Sequence, residues 1–204
     1  AAESTIYGRF GYGVAIEGCS LTLDRGHAAL AVPRPPDGRL RQIVDAEARE
    51  LIPAAYPRMT AGTPGAMTRR EADWQLYFYD PEPWRDGATA HRYVVYERGG
   101  EVAGYVLYRQ KENWEQGHAR NEVRIADLQA VDGEAYRAVW GYCLSIDLVT
   151  TVKAHNRPLR DPVTLLLADP RRVQQRSGWR HPRPLPMRGE RVDAFWTEEQ
   201  TTLR

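Results

Sequence analysis

Ile6-Tyr7-Gly8-Arg9-Phe10-Gly11-Tyr12-Gly13 packs three glycines and three aromatic residues into eight positions. Such a run is poor material for a helix and good material for a tight bend. The glycines supply positive φ or close backbone approach, and Tyr7, Phe10 and Tyr12 supply bulk to pack around the bend. Val14-Ala15-Ile16 and then Ser20-Leu21-Thr22-Leu23-Asp24 follow, the latter alternating outward and inward like a strand. A chain that opens on a bend feeding a strand predicts that the domain it completes begins before Ala1.

Taken from Glu3 to Gly13, with the strand that ends Leu21-Thr22-Leu23-Asp24-Arg25, the stretch resembles the enhanced intracellular survival family of N-acetyltransferases. The resemblance runs over roughly residues 1 to 175. It implies two domains of the GNAT acetyltransferase fold followed by a third, sterol-carrier-like domain. It also implies acetyl transfer from acetyl-CoA to primary amines, aminoglycosides and lysine side chains among them, by a homo-oligomer.

The composition bounds the alternatives. At 204 residues, 42% hydrophobic and 27% charged, the chain describes one globular domain, or one and a part. Lys+Arg 28 against Asp+Glu 27 leaves a net charge of +1, so overall charge does not mark a polyanion binder. Cys19 and Cys143 sit in opposite halves without metal-like spacing, which fits a reducing cytoplasm better than a disulfide scaffold. There is no long apolar run and no basic-then-apolar start, so neither a membrane span nor a secretory signal is expected.

Along the chain, residues 1–32 read as the C-terminal part of a catalytic GNAT domain and Pro33 to Gly38 as a proline-rich linker. Residues 39–170 read as a central GNAT-like domain, and 171–204 as a divergent, poorly ordered tail. Within 39–170, Leu40–Val44 is a short strand. Ala48, Leu51, Ile52, Ala55 and Met59 form one helical stripe, with Pro53 and Pro57 predicting either a bend or a kinked rod. Thr68-Arg69-Arg70-Glu71 has the pattern of a capping box. Tyr93–Glu97 and Val102–Arg109 are strands joined across Gly99-Gly100. Val123–Leu128 is a strand, Asp132-Gly133 opens a helix with Tyr136, Val139, Trp140, Cys143 and Leu144 on one stripe, and Leu148–Val152 is a strand. Asp161-Pro162 opens a last short helix. The order predicts an α+β fold, a GNAT-like mixed sheet flanked by helices.

Acetyl transfer needs an acid to protonate the departing thiolate, and a positioned phenol supplies about 10²–10⁴-fold by that route. The resemblance makes Tyr7 that catalytic acid; packing of the bend by Tyr7 and Phe10 is the plain alternative. It also places Ala2 and Glu3 in a loop that binds acetyl-CoA, the co-substrate, by backbone groups. A pyrophosphate wants several N–H groups gathered at a helix N-terminus. No glycine-rich loop of that kind follows a strand here, and Val131-Asp132-Gly133-Glu134 brings two carboxylates to the corresponding turn, which would repel it. The central domain is therefore expected to be degenerate in cofactor binding, and the isolated chain inactive.

Five scattered histidines, none spaced i+3 or i+4 from another histidine or a cysteine, predict no metal. Asp161 and Asp169 read as a cap and a helix exit. Trp74, Tyr77, Phe78, Tyr79 and Trp84 form either core or a pocket for a cation. The arginines between Arg180 and Arg191 interleave with Pro182, Pro184 and Pro186, weak grounds for a nucleic-acid arm. A non-catalytic GNAT-like binding module is the rival from another class.

Overall fold

The structure, a computed structural model, describes residues 9–10, 12–26, 28–31, 37–63 and 66–184. Its strands are β1 (Tyr12–Asp24), β2 (Arg39–Ile43), β3 (Arg92–Arg98), β4 (Glu101–Lys111), β5 (Trp114–Glu115), β6 (His118–Ala119), β7 (Asn121–Ala130), β8 (Val149–Pro158) and β9 (Val173–Pro184). Among the described residues these helices accompany them: α1 (Asp45–Thr60), α2 (Glu71–Phe78), α3 (Gly133–Ser145) and α4 (Val163–Leu166). Seven strands form one sheet in the order β2-β3-β4-β7-β8-β1-β9, and β5–β6 is a separate two-stranded ribbon. Every neighbouring pair in the large sheet is antiparallel except β7 and β8, which run parallel with α3 as their crossover.

Tyr93, Val94, Val95 and Tyr96 are all buried, because β3 is covered on both sides. Tyr93 and Val95, with Tyr105 and Leu107 of β4, pack under α1 and α2 against Ile52, Tyr56 and Trp74. Val94 and Tyr96, with Val106 and Tyr108, pack under α3 against Val139 and Trp140. The two cores lie on opposite faces of one mixed sheet, so the α+β expectation holds. Gly99 and Gly100 take φ of +60° and +83°, the left-handed pair that a two-residue hairpin requires.

Several elements differ from the sequence reading. Pro53 and Pro57 lie inside one continuous helix. Burial of Ala48, Ile52, Ala55, Tyr56 and Met59 on its stripe offsets the backbone bonds that the prolines remove. The capping box sits two residues later than Thr68-Glu71: Arg70 is the N-cap, and Asp73 accepts its backbone N–H at 2.8 Å. Leu30 forms an antiparallel bridge to Leu167; His27 and Val32 lie outside the described residues, as does most of the linker. Residues 173–184, expected in a poorly ordered tail, form β9 and pair along β1 from Leu23↔Val173 to Tyr12↔Pro184. Among the described strands β9 is the last of the sheet, the position where prolines such as Pro182 and Pro184 are tolerated.

Gly38 precedes β2, and a Cβ there would overlap the ring of Tyr96, which is fully buried and whose hydroxyl donates to the Asp37 carbonyl at 3.1 Å. Gly38→Ala is expected to destabilise the fold by about 1–3 kcal/mol, read as a lower urea midpoint. An unchanged midpoint would mean that Tyr96 has room to move.

Candidate functional site

In an open sheet, a ligand is held past the carboxyl ends of parallel strands, so the β7–β8 pair is where a site would form. The two strands pair from Asn121↔Val149 to Ile125↔Ala154 and then part. Beyond that point β7 stays with β4, through Asp127↔Leu107 and Ala130↔Gly104, while β8 stays with β1 through Arg157↔Cys19. A register shift between Ile125 and Asp127 puts one extra residue on β7 at the parting point.

The guanidinium of Arg157 fills the gap. Its Nη1 donates to the Leu128 carbonyl on β7 at 2.9 Å, its Nη2 to Tyr136 Oη on α3 at 3.0 Å, and its Nε to Asp161 at 2.6 Å. Tyr136 donates in turn to Asp161, which also accepts the Val163 N–H at 2.9 Å. The Arg157 and Asp161 side chains are 7% and 0% exposed. Burial above all pushes the Tyr136 phenol up, which keeps its proton available for Asp161. Each polar group of the cluster has a partner, as buried charge demands.

The N-terminus of α3 is likewise taken. Asp132 accepts the Ala135 N–H at 2.9 Å as N-cap and is ion-paired with Arg98, which also reaches Glu134 at 3.1 Å. Acetyl-CoA does not fit this arrangement: the Asp132 carboxylate already takes the Ala135 N–H and sets a negative charge where a pyrophosphate would lie, and Arg157 occupies the crevice.

On the opposite face, Asp127 accepts Tyr105 Oη at 2.8 Å and Arg69 Nη2 at 2.9 Å. The Arg69 guanidinium lies 4.3 Å from the Tyr56 ring centre, 4.6 Å from Tyr77 and 4.8 Å from Trp74. The aromatic cluster named from the sequence thus divides. Trp74 and Phe78 enter the core, Trp74 and Tyr77 with Tyr56 enclose a cation from the chain itself, and Tyr79 and Trp84 form an exposed pair 5.3 Å apart.

A cleft of about 620 Å³ opens beside α1, lined by Asp45, Arg49, Phe78, Tyr79, Asp80, His91 and Tyr93 among others. Asp80 is held by Arg85 at 3.1 Å, Arg109 at 2.8 Å and the His91 backbone N–H at 2.8 Å. The His91 side chain is only 8% exposed. Burial first, then the positive charges of Arg109 and Arg85, lower its pKa to about 4 against the opposing pull of Asp80 and Asp45. Unfolding frees His91 to take a proton at its ordinary value near 6.5. Its contribution to stability is therefore complete above about pH 6.5, is lost as pH falls through that window, and levels off below about 4. The loss is about 3 kcal/mol. Asp80 and Asp45 are lowered below their ordinary 3.8 and titrate beneath the window. Urea midpoints between pH 7 and 4.5 should fall for the wild type and stay flatter for His91→Phe; parallel curves would remove His91 as the cause.

Tyr7, Ala2 and Glu3 lie outside the described residues. Among the described residues no three His, Cys, Asp or Glu side chains gather as a metal site. Cys19 and Cys143 are buried free thiols, the latter pushed up to about 12 by burial. Asp169 caps a 3-10 turn by accepting the Arg171 N–H at 3.1 Å, and Asp161 combines a cap with an ion pair. Arg157 escaped the sequence reading; the Arg157–Asp161 spacing was its one local sign.

Residues 65–184 match the family model described as an acetyltransferase (GNAT) domain, a span that includes the β7–α3–β8 unit. The chain belongs to the GNAT acetyltransferase family. It is 39% identical over 177 residues to an uncharacterized N-acetyltransferase of Streptomyces avermitilis, covering 86% of this chain and 43% of that protein. It is 28% identical over 184 residues to the N-acetyltransferase Eis of Mycobacterium tuberculosis, covering 88% and 42%. The crystal structure of Eis1 from Mycobacterium abscessus superposes with a TM-score of 0.67 at 30% identity, over 87% of this chain and 44% of that one. The chain thus spans less than half the length of these relatives, and the mixed sheet flanked by helices is the GNAT fold.

Proposed function

We propose that this chain is part of an N-acetyltransferase of the enhanced intracellular survival type, which moves acetyl from acetyl-CoA to a primary amine on an aminoglycoside or a lysine side chain. The similarity to proteins named N-acetyltransferases supports the class. The neutral amine attacks the thioester carbonyl and loses one proton to solvent, the carbon–sulfur bond breaks, and Tyr7 protonates the thiolate and is reprotonated from solvent. Ala2 and Glu3 belong to the loop against acetyl-CoA. The described domain holds no acetyl-CoA; it serves as scaffold in a cytoplasmic homo-oligomer, and the chain by itself is inactive. The observation that carries this division of labour is the Arg157 guanidinium between Leu128, Tyr136 and Asp161. The same observation favours a second reading, a GNAT-derived module with no enzymatic role.

Calorimetric titration of the full-length protein with acetyl-CoA separates the possibilities. One molecule bound per chain is expected. Two would overturn the closed state of the described domain, and none would overturn the enzyme reading in favour of the module.

A further inference from the structure

Three rings and a carboxylate make a cation site on the α1–α2 face of the sheet. Tyr56 comes from α1, Trp74 and Tyr77 from α2, and Asp127 from β7 just past the point where β7 leaves β8. Asp127 is one-tenth exposed and held by Tyr105 Oη. Aromatic faces stabilise a desolvated cation, and a planar guanidinium stacks on them while pairing with a carboxylate.

The occupant, Arg69, arrives from residues 66–70, which lie outside any helix or strand. Tyr56 Oη donates to the Met67 carbonyl at 2.9 Å, the Ala66 N–H donates to the Thr63 carbonyl at 3.1 Å, and Arg70 is fixed at the far end as the α2 N-cap; the Met67 side chain itself is exposed. The fit is incomplete. Arg69 Nη1 is buried without a hydrogen-bond partner. A residue that served only to pack would be expected to leave no such atom unmet, since an unpaired buried donor is costly. A site shaped for a free ligand and filled by a tethered substitute explains it.

We propose that Tyr56, Trp74, Tyr77 and Asp127 form a binding site for an alkylguanidinium cation, and that Arg69 occupies it as an intramolecular competitor. A free cation enters when residues 66–69 lift, and its apparent affinity is reduced by the fraction of time that Arg69 holds the site.

The test is calorimetric titration of the full-length protein with ethylguanidinium chloride, with neutral ethylurea as control. Arg69→Ala should bind ethylguanidinium at least tenfold more tightly than the wild type does. The double variant Arg69→Ala/Asp127→Asn, which removes both charges, should lose that binding. Equal affinity in wild type and Arg69→Ala overturns the proposal, as does equal binding of ethylurea or retention of binding in the double variant. Should Arg69→Ala fail to fold, Arg69→Met keeps the stem of the side chain. If neither folds alone, recovery of native far-UV circular dichroism on adding ethylguanidinium supports the site, and failure to recover overturns it.

Discussion

Tyr7→Phe in the full-length protein should lower kcat for acetyl transfer by about 10²–10⁴-fold while leaving the KM for acetyl-CoA nearly unchanged. The substitution keeps the ring and deletes one hydroxyl, so only the proton donor is lost. A group that acts solely as the thiolate departs makes its contribution in the transition state, and its removal falls on kcat and kcat/KM together. The discriminating readout is the pH profile. A phenol that must be protonated gives a limb of falling rate at high pH, and Tyr7→Phe should abolish that limb. Thiol release measured with a primary amine at saturation decides the matter. A loss below about tenfold, with the alkaline limb intact, would return Tyr7 to a packing role and leave the acid elsewhere.

How far the sequence spoke for the fold follows from the range of each interaction. The α3 stripe, Gly99-Gly100 and the apolar run of β3 are local signals, and each element stands within a few residues of its expected place. β9 was illegible because its reason to form lies in β1, some 160 residues away, whose edge pairs with Gln174, Gln175 and Arg176 whatever their polarity. The shift of the α2 cap has a local cause: the Asp73 carboxylate binds both the backbone and the guanidinium of Arg70, bonds that Thr68 with Glu71 would have to match. The two buried cations were the hardest to foresee. Arg69 meets Asp127 across 58 positions and Arg157 meets Leu128 across 29, so neither pairing has a periodicity to betray it. The aromatic residues around Arg69 were visible as a cluster, but nothing local says that the chain supplies its own cation.

Arg157→Ala should destabilise the protein by about 3–5 kcal/mol, the usual consequence of leaving one member of a buried ion pair without its partner. Asp161, fully buried, keeps only Tyr136 and the Val163 N–H, and the Leu128 carbonyl loses its donor. Arg157→Lys should recover little. Three acceptors lie in three directions around a planar fork, and a single ammonium on a flexible stem does not span β7, α3 and Asp161 at once. Arg157→Met with Asp161→Asn removes both charges while an amide oxygen still accepts from Val163, so the double variant should be more stable than Arg157→Ala. Urea denaturation at pH 7 tests the series, and a cost under about 1 kcal/mol for Arg157→Ala would place the guanidinium in water instead of in the crevice. The same variant bears on function. Emptying the crevice leaves Asp132 on the α3 N-terminus and Arg98 on Asp132, so Arg157→Ala should still take up a single acetyl-CoA per full-length chain. The closure of this domain then rests on two independent features of the β7–α3–β8 unit, an arginine where the strands part and a carboxylate where a phosphate would sit.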